Sequence, residues 1–78
     1  MKIEILGMGC PKCKALYENT RQAVREEGIQ ADIEKVEDMD KITEYGVLMT
    51  PGFAVDGQIK STGKVLTREE IKNLLSPG

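Results

Sequence analysis

The chemistry of this sequence concentrates in Cys10 and Cys13, its only two cysteines, which stand as Cys10-Pro11-Lys12-Cys13. Residues three apart on a helical turn bring their Cα atoms to a separation that a disulfide can bridge. Such a pair can cycle between dithiol and disulfide, with a thiolate as the attacking species. The same two soft sulfurs could instead hold Cu(I). Met8 suits that alternative by completing a Met-x-Cys-x-x-Cys string, although it serves equally as loop packing near the helix start. A zinc ribbon would need two further ligands that are missing. The sequence has no His, which removes His-based triads and several common metal sites.

The elements around the pair follow from hydrophobic spacing. Lys2 to Leu6 reads as a strand, with Ile3 and Ile5 on one face and Leu6 on the other. Gly7-Met8-Gly9 interrupts it, and a helix starts at Cys10 and Pro11, where the fixed φ of proline suits a first turn. The stripe Cys13, Leu16, Tyr17, Thr20 and Val24 faces a core, and Gly28 ends the helix. A half-exposed strand lies within Ile29 to Val36, and its position after a helix predicts a parallel βαβ unit. A short helix over Asp40 to Tyr45 stops at Gly46. After Pro51, Phe53-Ala54-Val55 forms a strand, and Asp56-Gly57 turns it into Gln58 to Ser61. Thr67 and Glu70 form a capping box for a last helix with Ile71, Leu74 and Leu75 buried, ended by Ser76-Pro77-Gly78. The order is β-α-β-α-β-β-α.

This order makes the two thiols unequal. Cys10 falls near the helix N-cap and faces solvent, whereas Cys13 lies at the third helical position on the core stripe. Cys10 therefore attacks and Cys13 resolves the mixed disulfide. Lowering a thiol pKa from ~8.5 toward ~7 takes about 2 kcal/mol. The helix dipole supplies only ~0.3–1 kcal/mol of it at an exposed site. Backbone N–H groups aimed at the sulfur, helped by the Cys13 thiol, must provide most of the remainder. Lys12 and Lys14 add positive charge that solvent screens, and Pro11 stiffens the turn.

A chain of 78 residues has room for one domain, expected here over residues 1–78. The net charge of −2 comes from interspersed charges of both signs, which argues against a nucleic-acid partner. No segment approaches the ~20 apolar residues of a membrane span, and the opening Met1-Lys2-Ile3-Glu4-Ile5-Leu6 does not read as a signal peptide. A cytoplasmic monomer without a membrane partner is the expectation, and under reducing conditions a close cysteine pair is rarely a structural staple.

Two blocks resemble the thioredoxin and glutaredoxin superfamily, and more narrowly its very small redox-active disulfide proteins of archaea and anaerobic bacteria. One is Cys10-Pro11-Lys12-Cys13, similar to the glutaredoxin-type Cys-Pro-x-Cys. The other runs from Tyr45 through Gly46-Val47, Thr50-Pro51 and Phe53-Ala54-Val55 to Asp56-Gly57. The resemblance implies a thioredoxin-like α/β fold, a four-stranded mixed sheet flanked by helices. It implies that Pro51 is a cis-proline packed against the disulfide and that the Thr50 backbone pairs with an extended substrate segment. The substrates would be client protein disulfides, on a shallow apolar surface with Met8, Met49, Gly52 and Met39 as candidates. No organic or metal cofactor is implied. By spacing, Glu4 is a possible counterpart of the buried acid that assists proton transfer in thioredoxins, or else a solvent-facing strand residue. Ser61-Thr62-Gly63-Lys64 does not match the glutathione-binding stretch of glutaredoxins, so a flavoprotein reductase of the thioredoxin-reductase type is the expected electron donor. The rival family, small copper chaperones, has a β-α-β-β-α-β order, and no final strand remains here after Leu75.

Overall fold

Strand β1, Lys2–Leu6, runs through the middle of the molecule and ends where Gly7 begins. The computed structural model describes residues 1–9 and 11–75 of the chain. After β1 come α1 (Pro11–Glu27), β2 (Asp32–Val36), α2 (Met39–Glu44), β3 (Gly52–Val55), β4 (Gln58–Thr62) and α3 (Arg68–Leu75). The strands form one sheet in the order β2-β1-β3-β4. β1 pairs parallel with β2 and antiparallel with β3, and β3–β4 is an antiparallel hairpin, so the sheet is mixed. The expected order and the parallel β1–β2 pair are both present. The expected placement of Cys10 and of the 76–78 terminus lies outside the described residues.

Side-chain alternation along β1 divides the core in two. Ile3 and Ile5 join Leu16 and Ala23 of α1, Phe53 and Val55 of β3, Leu66, and Ile71 and Leu75 of α3. Leu6 points the other way, into a cluster with Val36, Ile42, Val47 and Ala54 under α2. Helices thus cover both faces, and each fully buried Leu or Phe contributes roughly 1.5–3 kcal/mol through water exclusion. Leu74 departs from the expected stripe: at 39% exposure it sits on the rim of α3, while Leu66, just before the helix, fills the core instead.

Local signals place the ends. Thr67 Oγ1 accepts from the Glu70 backbone N–H at 3.1 Å, and the Glu70 carboxylate accepts from the Thr67 N–H at 3.1 Å, completing the capping box. The α2 helix begins one residue earlier than expected because the Asp38 carboxylate caps it, accepting from the Asp40 N–H at 2.9 Å. Asp56 and Gly57 both have positive φ (49° and 83°), the geometry of a tight hairpin turn whose twist matches the strands. The Lys2 N–H donates to the Asp56 carboxylate at 2.8 Å, tying that turn to β1. At the far end of the sheet α1 and α3 are joined by Glu26, which pairs with Arg68 at 2.7 Å and Lys72 at 2.5 Å.

Candidate functional site

The end of β1, the first turn of α1 and the segment before β3 meet at Gly7. Its N–H donates to the Val36 carbonyl at 2.9 Å, extending the β1–β2 ladder past Leu6. A Cβ built on Gly7 would run into the Cys13 Sγ, and would lie 3.6 Å from the Thr50 Cβ. Gly7 is therefore the spacer between the Cys13 sulfur and Thr50, and only the missing side chain lets them approach. Cys13 itself is 6% exposed, on the inward face of α1. Pro11 is the first helical residue, Lys12 and Lys14 are exposed, and no carboxylate occupies the first turn. That leaves the positive end of the helix dipole unopposed by its own side chains.

Thr50 is exposed and Pro51 is fully buried, and the peptide bond between them is cis. The Pro51 carbonyl accepts from the Gly63 N–H at 2.8 Å, which anchors the segment to the end of β4. Among the expected surface residues, Met8, Met49 and Met39 are exposed. Gly52 is not: it is buried, and a Cβ there would meet Val47 at 3.1 Å and Leu6 at 3.3 Å. Gly52 serves close packing under α2 instead of offering surface. Sequence reasoning passed over Leu48, which is 97% exposed beside Met49. Two large apolar residues in a row before a proline, outside any periodic pattern, were the available signal.

Glu4 occupies neither position expected for it. It is only 6% exposed, and the Tyr45 hydroxyl donates to its carboxylate at 2.5 Å. Alternation puts Glu4 on the Leu6 side of the sheet, toward α2, whereas Cys13 approaches from the Ile5 side. The hydrogen bond to Glu4, followed by burial, pushes the Tyr45 phenol above its ordinary 10.0.

On the Cys13 side a cavity of about 60 Å³ opens, lined by Ile5, Gly7, Gly9, Cys13, Lys14, Lys35 and Glu37. Lys35 stands next to Ile5 across the β1–β2 register, and its Nζ lies 4.4 Å from the centroid of the Tyr17 ring. Lys35 and Glu37 escaped sequence reasoning because only the strand register brings them to the thiol.

A thioredoxin domain model matches residues 1–76 of the chain. The sequence is similar to the thioredoxin of Methanothermobacter thermautotrophicus, 51% identical over 76 residues that cover 97% of this chain and 99% of the relative. It is equally similar to the thioredoxin of Methanocaldococcus jannaschii, 51% identical over 73 residues, 94% of this chain and 84% of the relative. A probable thioredoxin of Methanothermobacter thermautotrophicus is 34% identical over 65 residues, 80% of this chain and 75% of the relative. These matches do not favour the Cu(I) alternative.

Proposed function

The chain belongs to the thioredoxin domain family, and we propose that it is a thiol–disulfide oxidoreductase exchanging a Cys10–Cys13 dithiol with disulfides of client proteins. The observation that carries this is the seat of Cys13. It is buried at the third residue of a helix with no first-turn carboxylate, across Gly7 from the cis Thr50–Pro51 segment.

In the proposed cycle the Cys10 thiolate attacks one sulfur of a client disulfide. That S–S bond breaks, one client thiolate leaves, and a mixed disulfide joins Cys10 to the client. Cys13 then loses its proton and attacks the Cys10 sulfur. The second client thiolate leaves and takes up a proton, and the Cys10–Cys13 disulfide remains. Two electrons have passed to the client, and a flavoenzyme of the thioredoxin-reductase type returns two to the protein. Burial of Cys13 suits a resolving thiol, because an intermolecular disulfide reaches it poorly while a sulfur one helical turn away reaches it well. The Thr50 backbone offers hydrogen bonds to an extended client segment, and Leu48, Met49 and Met8 offer apolar contact beside it. Residues 1–78 would work as one domain, in the cytoplasm.

A Cys13→Ser variant tests the division of labour. Reduced and mixed with a disulfide-bonded client, it should accumulate a mixed disulfide through Cys10 that a reductant releases. A folded variant that traps no client, or traps it without Cys10, overturns the mechanism.

A further inference from the structure

We propose that Lys35, seated over the ring of Tyr17, is the charge that prepares the Cys13 thiol for its attack. The inference rests on the exchange mechanism above and concerns its second half. A buried thiol resists ionisation, since burial disfavours the charged form. Something beside Cys13 must offset this, and the sheet beneath it does not: Ile5 is apolar, and Gly7 and Gly9 have no side chains. Among the described residues, the charged groups that line the cavity next to Cys13 are Lys14, Lys35 and Glu37.

The two lysines are not equivalent. Lys14 follows Cys13 directly on α1, and adjacent residues on a helix point about a quarter turn apart. Lys35 comes from β2 and reaches across to α1, where its Nζ sits 4.4 Å from the Tyr17 ring centroid. Tyr17 is four residues after Cys13, one turn along the same face of the helix. The attraction between an ammonium and an aromatic face therefore holds the charge of Lys35, an exposed side chain, against Tyr17 at the cavity that Cys13 also lines. Tyr17 is a positioning residue acting through Lys35. Glu37 opposes both lysines with a negative charge at the mouth of β2.

The cavity gives the proton a way out. Its volume of about 60 Å³ admits at least one water, which needs ~10–15 Å³ on this measure. Cys13 gives its proton to that water and thence to solvent, the thiolate forms beside the Lys35 ammonium, and the thiolate displaces the client sulfur from Cys10. One S–S bond forms as one breaks, and the departing client thiolate takes a proton from solvent, so no further redox partner is needed.

The test uses the full-length reduced protein and one equivalent of dithiobis(nitrobenzoate). Attack by Cys10 releases one thionitrobenzoate, and attack by Cys13 on the mixed disulfide releases the second. The midpoint of the second phase against pH reads the ionisation of Cys13. Lys35→Met should raise that midpoint by about one unit and slow the second phase about tenfold below it. Lys35→Arg should restore the wild-type profile, Tyr17→Phe should keep it, and Tyr17→Leu should move it part of the way. Glu37→Gln should lower it. Molar salt should shrink the difference between wild type and Lys35→Met, which a packing defect would not do. Two phases with an unshifted midpoint in Lys35→Met overturn the role of Lys35 and leave the exchange mechanism standing. Release of a single equivalent by the wild type overturns the exchange mechanism itself.

Discussion

The contact between Gly7 and Cys13 sets a sharp test, because one added methyl should act through one sulfur. In Gly7→Ala the new Cβ meets the Cys13 Sγ, while its distances to the Cys13 Cβ (3.5 Å) and the Thr50 Cβ (3.6 Å) are ordinary van der Waals contacts. The backbone at Gly7 is outside the left-handed region, so alanine itself is tolerated there. Relief of the clash requires the Cys13 sulfur to leave its rotamer or the first turn of α1 to shift, and overpacking of this kind costs ~1–3 kcal/mol. Against it stands a gain of ~0.4–1 kcal/mol, because alanine narrows the unfolded ensemble relative to glycine. The expected net loss is about 1 kcal/mol, read as a fall in Tm of roughly 4–8 °C for a domain of this size. Removing the sulfur should reverse the sign. In a Cys13→Ala background Gly7→Ala should be neutral or stabilising by up to ~1 kcal/mol. Urea unfolding of all four proteins under excess reductant measures the cycle, and the coupling energy should be about 1–3 kcal/mol. Additivity to within ~0.5 kcal/mol would refute the claim that Gly7 is a spacer for the Cys13 sulfur.

Leu48→Glu should leave stability unchanged, since the side chain is 97% exposed, and should raise the KM for a protein disulfide without altering reduction of dithiobis(nitrobenzoate). Tyr45→Phe removes the donor to a Glu4 carboxylate that is only 6% exposed, and denaturant titration should show a loss of ~1–3 kcal/mol at pH 7. Because the folded phenol is held above 10.0, its contribution is full below pH 10.0 and lost as pH rises through the folded value. Wild-type stability should therefore fall more steeply than that of Tyr45→Phe in strong alkali. The Glu26 carboxyl is held below 4.5, chiefly by its hydrogen bond from Lys72, so its contribution is full above pH 4.5 and lost as pH falls through the folded value. Calorimetry should find Glu26→Gln slightly less stable than wild type at neutral pH, with the difference fading in acid and in molar salt.

What the sequence made legible, and what it hid, both come back to side-chain parity and cover. Ile3, Ile5 and Leu6 announce two buried faces by alternation, and the capping box at Thr67 and Glu70 marks the last helix with local chemistry alone. Leu74 misled because Ile71 and Leu75, four apart, already define the narrow buried stripe of an eight-residue helix. Glu4 was harder. It lies six positions before Cys10, which suggests nearness, yet its strand neighbour Ile5 takes the Cys13 side and sends Glu4 to the other. Nothing local says that α2 covers that other side, because the covering residue, Tyr45, lies 41 positions away.

The same parity governs what can act on the buried thiol. With an apolar residue at position 5, β1 presents no acid or base to Cys13, so beyond Lys14 of α1 the charge at the cavity comes from the neighbouring strand. The parallel register delivers it by setting Lys35 beside Ile5. Shifting that register by one residue would bring Glu34 or Val36 to Ile5 instead, putting a carboxylate or an apolar group where the ammonium now stands. The β1–β2 pairing is therefore as much a part of the candidate site as the cysteine motif. Glu4, close to the motif when counted along the chain, lies on the opposite face of the sheet from Cys13.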